Sequence, residues 1–187
     1  MDVRELELGL RGNLGDKAQY TGIYTSDNIP YIQETPQPIV FIVNTLKSTA
    51  DTRILGHWVS FYLEYPRLIF FDSYGFHPYL YGESFKRIID LYKTKGMECI
   101  YFNKQLQPNT SVKCGLYTLF FIHYTSHYTI DAFIDTYFNI FSSSLEENDR
   151  IVTHYYFKYM NAGRSCKDWK YGKDRAIRYQ ECLCLSK

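Results

Sequence analysis

The chain lacks features that would assign its class at once. Its longest apolar run, residues 38–45, has the length of a strand and falls far short of the ~20 residues that a membrane-spanning helix needs. The first residues are charged and contain no apolar signal core. The sequence therefore predicts a protein that is neither secreted nor anchored in a membrane.

Cysteine is scarce and poorly spaced for crosslinks. The five cysteines are Cys99, Cys114, Cys166, Cys182 and Cys184, an odd number without a C-x-x-C pair. Such spacing predicts neither a disulfide framework nor a zinc site. We expect free thiols and no metal at the functional site.

The chain also lacks an excess of charge of one sign. Twenty-one Lys and Arg face 20 Asp and Glu, for a net charge of +1, so bulk charge does not predict a polyanion-binding protein. Positive charge is concentrated in residues 164–187, which hold seven Lys and Arg against three Asp and Glu. Contact with nucleic acid is therefore expected to be weak and confined to this basic segment.

Aromatic and apolar residues are abundant. The composition is 45% hydrophobic and 18% aromatic, which excludes a disordered chain. A length of 187 residues fits one domain of ordinary size. We predict a monomeric single domain over residues 1–187, with a core at about 20–160 and a basic C-terminal extension at about 164–187.

The order of apolar patterns predicts an α+β fold, with a central mixed or antiparallel sheet packed by helices. Residues 1–37 are predicted to be a short segment followed by loops. Ser84, and a capping box of Ser143 with Glu146, are predicted to start two of the helices. Strands are predicted at 39–45, 57–64, 68–73 and 98–102, and helices between 84 and 96, from 114 to 124, at 131–141 and at 145–160.

Cys114 is the cysteine placed where reactivity is expected. It follows a polar loop and precedes Gly115 and an apolar helical run, so its thiol should lie at the N-terminus of a buried helix. Unpaired N–H groups and the helix dipole stabilise a thiolate there. Gly115, without a side chain, allows backbone or substrate to approach closely. The alternative is that Cys114 is a small core residue.

A thiolate nucleophile needs a histidine as its partner. His57, at the start of a predicted strand, is the best candidate by position among five histidines, although position alone does not decide it; the others are His77, His123, His127 and His154. Asp72 ends the next strand of the same predicted hairpin. With the turn centred near Tyr65, His57 and Asp72 should be cross-strand neighbours, so Asp72 can orient the imidazole.

An acyl-transfer site also needs donors for the oxyanion. Gln107, seven residues before Cys114, can supply a side-chain amide, and the Cys114 backbone N–H can act as the second donor. Gln105 lies in the same loop, and the residues alone leave the choice between the two glutamines open.

Three segments resemble the adenovirus protease (adenain) family. They are Gly-His-Trp at 56–58, Asp-Ser-Tyr-Gly at 72–75, and Gln-Pro-Asn-Thr-Ser-Val-Lys-Cys-Gly-Leu-Tyr at 107–117. The order His-Trp, acid, Gln, Cys-Gly is shared with the SUMO/Ulp proteases. The run Ile-Val-Asn-Thr at 42–45 and the Tyr-Gly-Phe at 74–76 are similar to the adenoviral branch. The resemblance covers roughly residues 20–130, and its seven-residue gap selects Gln107 over Gln105.

The resemblance implies a viral cysteine endopeptidase. Cys114 would attack the scissile carbonyl, His57 would pair with the thiolate, Asp72 would hold the imidazole, and Gln107 would bind the oxyanion. Trp58 would shelter the ion pair from water. The family cleaves structural precursors after glycine during virion maturation, which implies a protein of a DNA virus or virus-like element, located in the virion and in the nucleus or cytoplasm of the infected cell.

The chain departs from the adenoviral pattern at Asp72, where that branch usually has Glu and the Ulp group has Asp. The resemblance also implies an activating peptide that forms a disulfide, and Cys99 lies in the segment similar to the one that carries the bridging cysteine. DNA assists the adenoviral enzymes, but a net charge of +1 argues against an obligatory DNA cofactor here. Two alternatives stay open: a ubiquitin- or SUMO-like isopeptidase using the same residues, and a non-catalytic capsid module with this fold.

Overall fold

The computed structural model describes residues 1–11, 13–33, 35–51 and 56–160. It is an α+β fold in which five strands form one mixed sheet packed by helices, as the sequence predicts. The strands are β1 (Gln19–Thr25), β2 (Ile39–Asn44), β3 (Trp58–Glu64), β4 (Arg67–Phe71) and β5 (Glu98–Tyr101). The helices are α1 (Val3–Leu10), α2 (Glu83–Thr94), α3 (Cys114–His127), α4 (Ile130–Ile140) and α5 (Leu145–Tyr155), with a 3₁₀ turn at Pro78–Tyr81 and a π-helical turn at Tyr156–Met160.

The strands lie in the sheet in the order of the chain, from β1 to β5. β2, β3 and β4 are antiparallel neighbours, and the two edge strands, β1 and β5, run parallel to β2 and β4. β2, β3 and β4 are buried on both faces, which explains why their sequences are nearly continuous apolar runs. This arrangement brings the residue before β3 and the residue after β4 to the same end of the sheet.

The sheet separates two apolar clusters. One face, including Val40, Tyr62 and Phe71, packs against α1, α3, α4 and α5, and the other face, including Phe41 and Phe61, packs against α2. α3 crosses the first face and is buried nearly all round, as its apolar sequence predicts. Cys114 is therefore the first residue of the most buried helix in the described part of the chain.

The prediction of loops over residues 1–37 is wrong at two places. α1 occupies Val3–Leu10, and Leu6 and Leu10 are 0% and 2% exposed, so this helix belongs to the core. A capping box fixes its start, because Asp2 accepts from the N–H of Glu5 and the Glu5 carboxylate accepts from the N–H of Asp2. β1 has the sequence Gln-Tyr-Thr-Gly-Ile-Tyr-Thr, which is not a continuous apolar run, and none of its residues is fully buried, so the apolar pattern predicts no strand there.

Two predicted helix caps are shifted by one or two residues. α2 starts at Glu83 after Gly82, so Ser84 lies inside the helix and does not cap it. α5 is capped by Ser144, whose hydroxyl accepts from the N–H of Glu147, whereas the sequence predicts Ser143 as the cap. Neighbouring serines offer equivalent hydroxyls, and only the backbone path selects one of them. The basic segment 164–187, with Cys166, Cys182 and Cys184, lies outside the described residues.

No helix in the described ranges has both the length and the apolar character needed to cross a bilayer.

The burial of α1 gives a stability prediction. Leu6→Ala should lower the free energy of unfolding by about 2–5 kcal/mol, because it leaves a cavity in the core. Val3→Ala, on the same helix but 46% exposed, should change it by less than about 0.5 kcal/mol. Urea unfolding of the two variants and the parent measures both changes in the free energy of unfolding. Equal effects would mean that α1 does not pack as described.

Candidate active site

Cys114 is the first residue of α3. Its backbone N–H is one of those at the start of the helix that have no partner within the helix, and so it is available to an incoming oxyanion. Lys113 precedes it as the N-cap residue and contributes no side-chain cap hydrogen bond. The thiol is partly exposed, whereas the next nine residues of α3 are all buried. The sequence prediction for the position of this cysteine is confirmed.

Thr45, the residue after β2, holds His57 in place. The His57 N–H donates to the Thr45 hydroxyl at 3.1 Å, and the Thr45 N–H donates to the His57 carbonyl at 2.9 Å. Gly56 is required beside it, because a Cβ at this position would lie 2.0 Å from the Asn44 side-chain oxygen. Asn44 and Thr45 thus fix the residue that carries the imidazole.

His57 and Asp72 meet at the end of the β3–β4 hairpin. His57 Nε2 lies 2.5 Å from Asp72 Oδ1, and Asp72 is 1% exposed. The register differs from the predicted one, because Ser60 pairs with Phe71 and the ladder ends before either residue. The tight turn at residues 65–66 shifts the strands by one to two positions relative to the prediction. The two side chains meet by reaching across the open end of the hairpin and not as a cross-strand pair.

Four donors surround the Asp72 carboxylate. Besides the His57 imidazole, they are the Tyr81 hydroxyl at 2.6 Å and the backbone N–H groups of Tyr74 and Phe76 at 2.9 and 3.0 Å. Gly75 makes the two backbone bonds feasible. It has φ of +71°, and a Cβ there would lie 2.7 Å from the backbone of Lys104. These bonds hold a buried carboxylate in one orientation beside the imidazole.

Hydrogen bonds and charge link Cys114 to His57. Burial alone would lower the pKa of His57, but hydrogen bonds and charge interactions with Asp72 and Cys114 outweigh it and raise the pKa to about 9. Burial alone would raise the pKa of Cys114, yet the hydrogen bond and charge of His57, with the Trp58 N–H, lower it. Since Nε2 is engaged by Asp72, Nδ1 is left for the thiol. The geometry favours a thiolate–imidazolium pair.

Gln107 is fully buried, with its amide held in one orientation. Ser73 Oγ donates to Gln107 Oε1 at 2.7 Å, which turns Nε2 toward Ser111 O, at 2.8 Å, and the Tyr74 hydroxyl, at 3.3 Å. Gln105, by contrast, donates to the backbone oxygen of Gln107 and to the Asn109 side chain, so it braces the loop. Of the two glutamines, only Gln107 has its amide beside a residue that contacts His57.

Three other residues are predicted to take part in binding: Trp58, Gly115 and Cys99. The Trp58 indole is 6% exposed, and its Nε1 donates to Met1 O at 2.9 Å. Gly115 does permit a close approach, but Met1 makes it: a Cβ on Gly115 would lie 2.7 Å from the Met1 sulfur. Cys99 is on β5 and packs with the cluster on the α2 face; burial raises its pKa. Cys99 is therefore not part of this site.

The sequence alone indicates no role for Tyr74 or Tyr81. Both rings stack on the imidazole of His57, with centroids 4.6 and 5.9 Å away. The aromatic density of residues 74–81 was visible in the sequence, but aromatic residues are common throughout this chain and carried no specific signal. The rings of His123 and His127 lie 4.3 Å apart and are tilted toward each other near the end of α3, where the Tyr155 hydroxyl hydrogen-bonds His123. Among the described residues no group of three metal-binding side chains is found.

Comparisons with known proteins bear on the fold. No protein-family model matches the chain, and no curated protein does. Among solved structures, it is similar to the central domain of the uncharacterized Lpg1148 protein from Legionella pneumophila, with a TM-score of 0.53 and 15% identity, over 87% of this chain and 96% of that one. At this identity the similarity concerns the fold alone.

The site electrostatics predict selective alkylation. At pH 7, iodoacetamide should modify Cys114 at least about 10-fold faster than Cys99, because His57 lowers one thiol pKa and burial raises the other. Peptide mass spectrometry over a time course resolves the two sites within one sample. His57→Gln should remove most of the difference, and its persistence in that variant would contradict the pairing of Cys114 with His57.

Proposed function

We propose that the protein is a cysteine endopeptidase of a DNA virus or virus-like element, which cleaves structural precursor proteins after glycine during virion maturation. The observation that carries the peptidase assignment is the 2.5 Å contact of His57 Nε2 with the buried Asp72 carboxylate, beside a Cys114 thiol whose pKa His57 lowers. The viral setting and the preference for glycine rest on the resemblance to the adenain family, as do a peptide activator and a DNA contact through residues 164–187.

In the proposed reaction, the Cys114 thiolate attacks the scissile carbonyl carbon and forms a carbon–sulfur bond. The carbonyl oxygen becomes an oxyanion, which accepts hydrogen bonds from Gln107 Nε2 and the Cys114 N–H. His57 then donates its proton to the leaving amine as the carbon–nitrogen bond breaks. Water attacks the resulting thioester, His57 takes the proton of that water, and the thiolate leaves with the product acid released.

Asp72 has an electrostatic role in this scheme. Its carboxylate holds one imidazole tautomer and stabilises the imidazolium, while it stays ionised itself. Tyr81, whose pKa is raised by burial and by the charge of Asp72, stays protonated and keeps its hydrogen bond to the carboxylate. The site thus supplies the nucleophile, the proton carrier, the orienting group and the oxyanion donors.

A cleavage profile tests the assignment. The protein, incubated with a proteome-derived peptide library, should generate new termini after glycine, and Cys114→Ala should generate none, because it removes the nucleophile. Mass spectrometry reads both, and thermal unfolding checks that the variant is folded. Equal cleavage by the parent and Cys114→Ala would contradict the proposal. Capture by a ubiquitin-like propargyl probe would instead favour the isopeptidase alternative.

The pKa of His57 predicts the pH dependence. kcat/KM should fall as pH rises through about 9, because His57 then loses the proton that it donates to the leaving amine. The acid limb should lie below the ordinary thiol pKa, because the pKa of Cys114 is lowered. Asp72→Asn should move the basic limb to lower pH, since it removes the charge that raises the His57 pKa. A basic limb that stays at the same pH in this variant would contradict the role of Asp72.

A further inference from the structure

The hydroxyl of Tyr74 lies within the candidate site but has no role in the reaction described above. The Tyr74 ring covers the imidazole of His57, with centroids 4.6 Å apart. Its hydroxyl is 3.3 Å from Gln107 Nε2 and 3.4 Å from Ser111 O. After burial, the nearby charge of Cys114 is the largest contribution that raises the pKa of this phenol. Tyr74 therefore lies close to the nucleophile, its partner and the oxyanion donor.

The hydrogen bonds of this hydroxyl are long. O–H···O bonds in proteins usually span about 2.5–3.0 Å, and the Tyr74 hydroxyl is 3.4 Å from the Ser111 carbonyl. The Tyr81 hydroxyl, in contrast, lies 2.6 Å from Asp72. The Tyr74 proton is thus only weakly engaged in the free protein, and it can turn toward a stronger acceptor at small cost.

Gln107 has a matching donor whose hydrogen bond is also long. One of its Nε2 hydrogens serves Ser111 O at 2.8 Å, and the other points to the Tyr74 oxygen at the longer distance of 3.3 Å. A negatively charged oxygen beside both groups would accept a hydrogen bond from each. Bonds to a charged acceptor are roughly twice as strong as those between neutral groups, so they would replace the long contact between Tyr74 and Gln107.

We propose that Tyr74 is a catalytic residue whose hydroxyl acts as a third oxyanion donor, beside Gln107 Nε2 and the Cys114 N–H. This inference rests on the proposed peptidase function. The neutral phenol is the form that can donate, and burial together with the charge of Cys114 keeps Tyr74 in that form. The aromatic ring has a separate role, since it covers His57 with or without the hydroxyl.

Tyr74→Phe isolates the hydroxyl, because phenylalanine keeps the ring over His57. With a peptide substrate, kcat should fall at least about 10-fold while KM changes less than about 2-fold, since the donor acts on charge that develops only in the transition state. Tyr79→Phe is the matched control: it loses a hydroxyl that bonds Asp90, on α2, and should keep the kcat of the parent.

Two further measurements distinguish a Tyr74 hydroxyl that contacts the oxyanion itself from one that only positions Gln107 or His57. Alkylation of Cys114 by iodoacetamide needs the thiolate but forms no oxyanion, so Tyr74→Phe should leave its rate unchanged. On a Gln107→Ala background, Tyr74→Phe should still reduce kcat by at least about 10-fold if the hydroxyl contacts the oxyanion itself. Thermal unfolding confirms that each variant is folded.

The outcomes are distinct. If the parent cleaves peptides and Tyr74→Phe retains its kcat, the Tyr74 inference is overturned and the peptidase proposal stands. A loss that disappears on the Gln107→Ala background, or that comes with equally slower alkylation, also overturns it, because Tyr74 would then only position Gln107 or His57. If neither the parent nor the variant cleaves peptides while both alkylate normally, the peptidase proposal fails and the Tyr74 inference fails with it.

Discussion

The contact between the Asp72 carboxylate and the His57 imidazole is the interaction on which the site depends. Asp72 is 1% exposed, and a buried carboxylate is strongly unfavourable unless other groups donate to it. The imidazole, the Tyr81 hydroxyl and two backbone N–H groups meet that need together. The same contact raises the pKa of His57, which in turn lowers that of Cys114, so the state of the thiol follows from how the carboxylate is held.

The fold supplies this contact through three connections at one end of the sheet. The residue before β3 carries the imidazole, the residue after β4 carries the carboxylate, and the first residue of α3 carries the thiol. The loop between β5 and α3 adds the amide of Gln107, which Ser73, next to Asp72, orients. The imidazole, the carboxylate and the thiol thus each lie at the end of a buried element, which limits their movement, whereas hydrogen bonds hold the amide in the loop.

Aromatic side chains pack around the imidazole of His57, which interacts with both Cys114 and Asp72. Tyr74 and Tyr81 stack on the imidazole, and the indole of Trp58, the residue after His57, is buried in the apolar cluster that includes α3. Burial strengthens the interaction between the thiolate and the imidazolium, because it removes competing water. The resting site is therefore preorganised around His57, and the amide of Gln107 faces the hydroxyl of Tyr74.

The amino-acid sequence by itself determined the α+β class, the three central strands, the helix that begins at Cys114, and the proximity of His57 to Asp72, because these follow from local periodicity and from the short turn between two strands. Only the tertiary structure decided the hairpin register, which depends on how many residues the turn at 65–66 uses.

The tertiary structure also decided that α1 packs into the core, since eight residues with charged neighbours are not distinctive before their apolar face meets α3. The different surroundings of Gln105 and Gln107, and the positions of Tyr74 and Tyr81 around His57, came from long-range contacts too. Identical side chains two residues apart, or aromatic residues in a chain rich in them, are distinguished only by what the folded backbone brings next to them.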